Sequence, residues 1–179
     1  MTSKEITTAR GGVKPRERAP ELVVDLVGGG SWDLAAQQPE AFTLIVFYRG
    51  NHCPVCRAQL SELNRRIDEL EQRGITLIAI SGDTKELADQ TRLDWHLDQL
   101  PLGYGLAEPT MRSWGLFVSA GRGEEPERFN EPGLFLVKPD GTIYYEALNS
   151  SPWGRPHLDD ILNAVDYVRR SDYPARGEA

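Results

Sequence analysis

The chain has 179 residues, of which 40% are hydrophobic and 26% charged, and its formal net charge is −7. This length and composition predict an ordinary soluble globular protein with room for a proper core. A nucleic-acid-binding surface would need a basic face, and a membrane span would need about 18 consecutive apolar residues, so we expect neither partner. Residues 1–20 lack the apolar stretch of a secretory signal, which predicts a cytoplasmic protein.

The predicted elements alternate between strands and helices. Residues 1–20 carry glycines and prolines among charges, which predicts a flexible arm before a domain over residues 21–179. Apolar runs, helical periodicity and turn residues predict the elements in chain order. The first half has a hairpin or an extended entry segment over 22–34, a buried strand over 42–48, a helix from Pro54 to Gly74, a buried strand over 75–80 and a helix capped by Asp83 or Thr84. The second half has a short strand over 102–106, a short helix over 108–114, a polar loop over 121–132, a hairpin over 134–147 and a closing helix from Leu158.

This order predicts the fold class. One helix between two buried strands indicates a βαβ unit with parallel strands, and the later hairpin adds antiparallel strands. We therefore expect an α/β protein with a thioredoxin-like fold, in which helices flank a central mixed sheet within a single domain. The segment between the first buried strand and its helix then lies at the carboxyl edge of the sheet, where open α/β sheets place their sites.

That segment holds both cysteines of the chain, Cys53 and Cys56. Structural disulfides are rare in a reducing compartment, so an isolated Cys-x-x-Cys pair indicates metal binding or redox chemistry. A structural zinc site needs four ligands, and only His52 stands nearby, which disfavours zinc. Two inert buried thiols are equally disfavoured at a strand-to-helix junction. We expect redox chemistry at this pair, with no metal and no cofactor.

The sequence also predicts which thiol is acidic. A thiol attacks as the thiolate, and lowering its pKa by about 2 units needs about 2.7 kcal/mol. Cys53 is expected at the N-cap of the helix, where the helix dipole favours an anion by about 0.3–2 kcal/mol and Pro54 fits the first helical position. Arg49 and a protonated His52 would add positive potential, although His52 is equally well interpreted as a solvated loop residue. We expect Cys53 to attack and Cys56, one turn later, to resolve.

Several segments resemble a known family. Residues 47–56 (FYRGNHCPVC) are similar to the active-site strand and loop of peroxiredoxin-like proteins in the AhpC/TSA division of the thioredoxin superfamily. The resemblance continues through residues 132–137, the turn at 139–141, Arg155-Pro156-His157 and residues 173–177, so that it covers roughly 20–177. It implies a thioredoxin fold, a disulfide or hydroperoxide as substrate, a thiol reductant as electron donor and a possible homodimer.

Two alignments within that superfamily assign the residues differently. Alignment with thioredoxins makes Cys53 the nucleophile and places Pro132 at the cis-proline that shapes the substrate groove. Alignment with peroxiredoxins places Cys56 at the peroxidatic cysteine, with Cys53 at a threonine or serine position and Arg49 at a proline position. The peroxide-polarising arginine of that family would fall near Pro132, and Arg128 is the nearest candidate upstream.

Three functions therefore stay open from the sequence. The first is a dithiol-disulfide oxidoreductase in which Cys53 attacks and Cys56 displaces the product. The second is a peroxidase in which one of the two cysteines forms a sulfenic acid and the other condenses with it. The third is a non-catalytic redox sensor whose disulfide changes a surface that binds a partner.

Overall fold

The computed structural model describes residues 12–179, and its elements follow one another in this order: β1 (Val23–Leu26), β2 (Ser31–Asp33), β3 (Phe42–Phe47), α1 (Pro54–Arg65), α2 (Ile67–Glu71), β4 (Ile75–Ile80), α3 (Lys85–Asp94), β5 (Leu102–Tyr104), α4 (Glu108–Ser113), β6 (Val118–Ala120), β7 (Arg128–Asn130), β8 (Gly133–Val137), β9 (Ile143–Leu148) and α5 (Leu158–Ser171).

Seven of these strands form a mixed sheet in the order β2-β1-β5-β4-β3-β8-β9. The central strand β3 is buried along its whole length, pairs in parallel with β4 and pairs antiparallel to β8. Such a strand reads as a continuous apolar run because both faces of the sheet are covered by other elements. The predicted α/β fold with a central mixed sheet flanked by helices is confirmed.

Apolar residues pack on both faces of β3. Leu44 and Val46 belong to a core cluster that includes buried residues of α1 and α5. On the opposite face, Phe47 meets Trp114 at the end of α4 and Phe135 on β8, with ring centroids 5.4 Å and 5.8 Å away. The end of β3, and with it the start of the cysteine segment, is thereby fixed from both sides.

Some elements differ from those the sequence predicts. The helix expected up to Gly74 is interrupted at Arg66, whose φ of −116° and ψ of 21° separate α1 from α2. The expected polar loop over 121–132 contains β7, which pairs with β6 in a separate two-stranded sheet. This hairpin matters for the site because it stands over the cysteine segment.

The start of the described chain lies against the β8–β9 turn. The Arg16 amide donates to the Ile143 carbonyl at 2.7 Å, and the Ala19 amide donates to the Gly141 carbonyl at 2.9 Å. Residues 1–11 of the expected flexible arm lie outside the described residues. Within residues 12–179, no helix has both the length and the apolar character that crossing a bilayer requires.

Candidate active site

The two cysteines lie at the start of α1. Cys53 is the N-cap residue, with its Sγ accepting the Cys56 amide at 3.2 Å, and Pro54 occupies the first turn, as the sequence predicts. Both side chains are free thiols and buried. Because an N-cap group faces otherwise unpaired helix amides, negative charge on the Cys53 sulfur is stabilised there.

The loop before Cys53 is held by the segment that follows β4. Gly50 has a φ of +134°, and a Cβ at this position would lie 2.6 Å from Asp83 Oδ1. The Asn51 amide donates to Asp83 Oδ2 at 2.9 Å, and the Asn51 side chain donates to Thr91 Oγ1 at 3.0 Å. β3 and β4 are parallel, so their carboxyl ends meet at one edge of the sheet, and this is why Asp83 reaches the cysteine loop.

Arg155 brings a positive charge to both sulfurs. Its Nη2 lies 3.1 Å from Cys56 Sγ and 3.8 Å from Cys53 Sγ. Its Nη1 donates to Gln59 Oε1 at 2.6 Å and its Nε donates to the Pro152 carbonyl at 2.8 Å, so the guanidinium is fixed in place. In the sequence, Arg155 stands out only as part of a family motif, and no local pattern predicts a role for it.

Arg128 is the arginine that the sequence suggested for polarising the peroxide. In the structure it forms an exposed ion pair with Glu108 at 2.7 Å. The sequence signal for Arg155 was the Arg155-Pro156 pair just before the last helix. No periodicity or spacing connects that pair to cysteines about a hundred positions earlier.

Arg49 contributes a second cation from the loop itself. Its Nε lies 3.0 Å from Glu131 Oε2 and its Nη2 lies 3.5 Å from Glu125 Oε1. Its guanidinium carbon stands 4.7 Å from the centre of the Phe129 ring. Its backbone amide donates to Cys56 Sγ at 3.4 Å. Arg49 therefore joins the cysteine loop to the β6–β7 hairpin and the residues beside it.

His52 differs from the expectation of a protonated imidazole. Its ring is half-buried and packs on Phe129 with ring centroids 4.8 Å apart. Neither ring nitrogen has a hydrogen-bond partner among residues 12–179. Burial and the nearby Arg49 charge lower the pKa of His52, which disfavours the protonated ring. This environment speaks against the protonated imidazole that the sequence offered as one of two interpretations.

The prediction of a cis-proline at Pro132 is wrong, because no cis peptide bond occurs in residues 12–179. The Glu131 amide donates to the Phe117 carbonyl at 2.8 Å, and the Pro132 carbonyl accepts the Asn149 amide at 3.0 Å. These bonds continue the strand pairing into β8, and a trans peptide satisfies them. Pro132 is buried and does not line the cavity at the cysteines.

The two thiols have opposite acidities. Hydrogen bonding from the Cys56 thiol and amide, with further stabilisation from Arg49 and Arg155, outweighs burial and lowers the pKa of Cys53 to about 5. Burial, together with its hydrogen bond to Cys53, raises the pKa of Cys56. At pH 7 the pair therefore holds one thiolate, at Cys53, and one thiol, at Cys56.

An open cavity of about 580 Å³ leads to this thiolate. Cys53 lines it and Cys56 does not. The wall consists of Arg49, Pro54, Val55, Ser119, Ala120, Arg122, Glu125, Phe129, Pro152 and Trp153. Among the described residues, no three His, Cys, Asp or Glu side chains come together in a way that could hold a metal ion.

A thiolate at a helix N-terminus, a second thiol one turn later and a mixed sheet beneath them define a thioredoxin-fold dithiol protein. A sequence model of the AhpC/TSA family matches residues 15–146, more than half of the chain. The protein therefore belongs to the AhpC/TSA family, as its sequence motifs predicted. This membership also confirms the predicted class of thiol-dependent oxidoreductase.

Individual relatives are distant. The chain is 25% identical over 133 residues to the 1-Cys peroxiredoxin PER1 of Arabidopsis thaliana, a match that covers 70% of this chain and 58% of the plant protein. It is 22% identical over 137 residues to alkyl hydroperoxide reductase C of Staphylococcus aureus, with 73% of this chain and 69% of that protein covered. The crystal structure of a peroxiredoxin-like protein from Aquifex aeolicus is similar with a TM-score of 0.71 at 18% identity, over 88% of each chain. This last likeness concerns the fold alone.

Proposed function

We propose that the protein is a dithiol peroxidase that reduces hydroperoxides, with Cys53 as the attacking thiolate and Cys56 as the resolving thiol. The observation that carries this proposal is the asymmetry of the pair. Cys53 lines the cavity and has a lowered pKa, whereas Cys56 lies behind it with a raised pKa. A hydroperoxide that enters the cavity meets the reactive form of the thiol first.

The reaction proceeds in two steps at the sulfurs. The Cys53 thiolate attacks the terminal oxygen of ROOH, so that an S–O bond forms, the O–O bond breaks, and the alkoxide takes up a proton and leaves as an alcohol. Cys53 is then a sulfenic acid. The sulfur of Cys56 loses its proton and attacks Cys53, the disulfide forms, and hydroxide leaves and becomes water. A thiol reductant returns both cysteines to the reduced state.

Arg155 serves the first step. Its guanidinium lies within hydrogen-bonding reach of the sulfurs, held by Gln59 and the Pro152 carbonyl. A fixed cation at this place stabilises the thiolate before attack and the negative oxygen that develops as the O–O bond breaks. Because its partners hold it in advance, little reorganisation is needed when charge moves from sulfur to oxygen.

Reduction of disulfides is the second candidate. The cavity of about 580 Å³ is far larger than a hydroperoxy group and gives a disulfide access to Cys53. The attack would form a mixed disulfide with Cys53, and Cys56 would then release the second thiol product. This function uses the same order of nucleophiles and differs only in the electrophile.

Cysteine variants test both the order and the electrophile. Reduced wild type, Cys53→Ser and Cys56→Ser are mixed with hydrogen peroxide and cumene hydroperoxide, and sulfenic acid is trapped with dimedone and located by mass spectrometry. We expect Cys56→Ser to trap sulfenic acid at Cys53, and Cys53→Ser to lose rapid peroxide consumption. Rapid oxidation of Cys56 in Cys53→Ser would reverse the order. Slow, non-saturating oxidation of wild type by both peroxides, beside fast disulfide exchange, would leave the second candidate.

The proposal extends to location and assembly. We place the protein in the cytoplasm, because thiol reductants there would return the disulfide to the free thiols that the site needs. A homodimer is the assembly that the family resemblance implies, and sedimentation of the reduced and oxidised protein tests it. A sensor function would predict no turnover with any peroxide or disulfide.

A further inference from the structure

The cavity at Cys53 has an apolar side that the reaction steps above leave unused. Trp153 is its largest member, and its side chain is 69% exposed. Pro54, Val55 and Pro152 line the same cavity and are exposed or half-buried. Single exposed apolar side chains are common on protein surfaces, but several of them around one reactive group indicate a binding surface. We call these four residues the apolar wall.

The backbone that carries Trp153 is fixed on both sides of this residue. The Asn149 side chain donates to the carbonyls of Trp153 and Gly154, both at 2.8 Å. The Arg155 Nε donates to the Pro152 carbonyl at 2.8 Å. Because the loop is already ordered, a ligand that packs on the indole need not order the backbone when it binds.

The charged residues of the cavity leave one cation without a partner. Glu125 is already engaged, since its Oε1 lies 3.5 Å from Arg49 Nη2 and its Oε2 accepts the Arg122 amide at 3.0 Å. Arg49 also pairs with Glu131. The Arg122 guanidinium is exposed and forms no ion pair with any carboxylate of residues 12–179. It is therefore available to an anionic ligand.

An available guanidinium and an apolar wall in one cavity favour a particular kind of ligand. A guanidinium binds a carboxylate through charge-assisted hydrogen bonds, and an indole ring packs on an apolar or aromatic body. The formal net charge of −7 repels anions from the protein as a whole, so an anionic substrate needs a local cation of this kind. Hydrogen peroxide would use neither contact, although the cavity of about 580 Å³ has room for a much larger molecule.

We propose that the cavity selects hydroperoxides that carry a carboxylate on an apolar body, with the carboxylate bound by Arg122 and the apolar body packed on Trp153. Both residues determine specificity, and neither makes or breaks a bond at sulfur. The terminal peroxide oxygen goes to Cys53 and the O–O bond breaks, so that the product is a hydroxy acid. This inference rests on the proposed peroxidase function, because it names the substrate class of that site.

Three peroxides separate the two contacts. para-Carboxycumene hydroperoxide and its methyl ester share the aromatic body and differ in charge, and hydrogen peroxide lacks both features. Reduced full-length protein is mixed with each peroxide, quenched rapidly with a thiol-alkylating reagent and analysed by mass spectrometry for oxidation of Cys53. Ratios of rate constants within one variant cancel any general change in the thiolate. The same ratios measured with dithiothreitol correct for the intrinsic reactivity of each peroxide.

After this correction, wild type should react about fivefold faster with the carboxylate than with the ester, as expected for an exposed ion pair. Added salt should reduce this preference. In Arg122→Gln the corrected preference should disappear. In Trp153→Ala the rate with both cumene compounds should fall about fivefold relative to hydrogen peroxide, because the aromatic contact is lost.

Two control variants make the same chemical changes away from the cavity. Arg112→Gln alters an exposed ion pair on α4, and Tyr167→Ala removes an exposed aromatic side chain on α5. Both should keep the wild-type ratios.

The possible results distinguish this inference from the proposed function. Fast and equal oxidation of wild type by the carboxylate and the ester would overturn the inference and leave the peroxidase function in place. A preference for the carboxylate that persists in Arg122→Gln, or wild-type ratios in Trp153→Ala, would also overturn it. Slow oxidation of wild type by all three peroxides would overturn the proposed function, and this inference with it.

Discussion

The Arg155 guanidinium lies 3.1 Å from Cys56 Sγ, although the two residues are 99 positions apart in the chain. The same nitrogen is 3.8 Å from Cys53 Sγ, so one cation serves both sulfurs. Its other nitrogens bond to Gln59 and to the Pro152 carbonyl, which leaves it little freedom to turn away. The acidity of the dithiol therefore depends on a residue outside the Cys-x-x-Cys segment.

Replacement of Arg155 should make the attacking thiol less acidic. A hydrogen bond to a charged group contributes about 1.5–3 kcal/mol, so in Arg155→Gln the pKa of Cys53 should rise by about 1–2 units. In Arg155→Lys the pKa of Cys53 should lie between those of wild type and Arg155→Gln, because lysine keeps the charge and loses the fixed geometry. Iodoacetamide alkylation of reduced protein between pH 4 and 9 measures this. Arg112→Gln, in an exposed ion pair with Glu108, is the control; an unshifted profile in Arg155→Gln would contradict the role of the guanidinium.

The two cysteines should differ in their pH dependence. The thiolate is the reactive form, so a lowered pKa means that reactivity is already complete at neutral pH. Alkylation of Cys53 should rise through a pKa of about 5 and stay level above it, whereas the raised pKa of Cys56 should keep that thiol unmodified at neutral pH. Mass spectrometry of peptides resolves the two sites. Earlier modification of Cys56 would shift the nucleophile to the peroxiredoxin position.

Gly50 should tolerate no side chain. An added Cβ would lie 2.6 Å from Asp83 Oδ1 in a residue whose φ is +134°, so Gly50→Ala should displace the loop that carries Cys53. We expect a loss of about 1–3 kcal/mol in the free energy of unfolding together with slower alkylation of Cys53. Gly29→Ala is the matched control, since Gly29 also has a positive φ of +104° but nothing within 4 Å of the new Cβ. It should lose stability and keep thiol reactivity; equal loss of reactivity in both would contradict this explanation.

The ion pair between Arg49 and Glu131 should affect both the free energy of unfolding and the pKa of Cys53, and replacing either partner should separate the two effects. The Glu131 side chain is 5% exposed, so Arg49→Met leaves a buried carboxylate unpaired and should cost about 3 kcal/mol in urea unfolding. Glu131→Gln keeps an acceptor for Ser119 and removes a negative charge beside Arg49, so the pKa of Cys53 should fall further. The double variant should recover part of the stability lost in Arg49→Met, and additive losses would show that the pair is not coupled.

The sequence alone was sufficient to predict the fold and to locate the cysteine pair at the start of a helix. The apolar runs around Leu44 and Ile78 predict adjacent buried strands, and Cys53-Pro54 predicts an N-cap, because each signal depends on neighbouring residues alone. Arg155 could not be assigned in this way, since only the packing of the segment before α5 brings it to the sulfurs. The protonation of His52 depends on burial, which no local pattern reports.

Asp83 is another residue whose role the local sequence could not decide. The sequence offered Asp83 or Thr84 as the cap of α3, and Thr84 takes that place. Asp83 turns instead toward the cysteine loop, where it accepts the Asn51 amide. A short polar residue before a helix has the same local signal in both roles, and only the tertiary structure decides between them.

The β6–β7 hairpin both holds Arg49 of the cysteine loop and forms part of the cavity wall. It belongs to its own two-stranded sheet, yet Phe129 on β7 and Glu131 just after it hold Arg49, and Ser119 and Ala120 on β6 form part of the cavity wall. The thiols themselves lie at the start of α1. A graft that exchanges residues 118–130 for a hairpin of different length would therefore change which electrophiles fit, and, because Phe129 packs on Arg49, it would change the acidity of Cys53 as well.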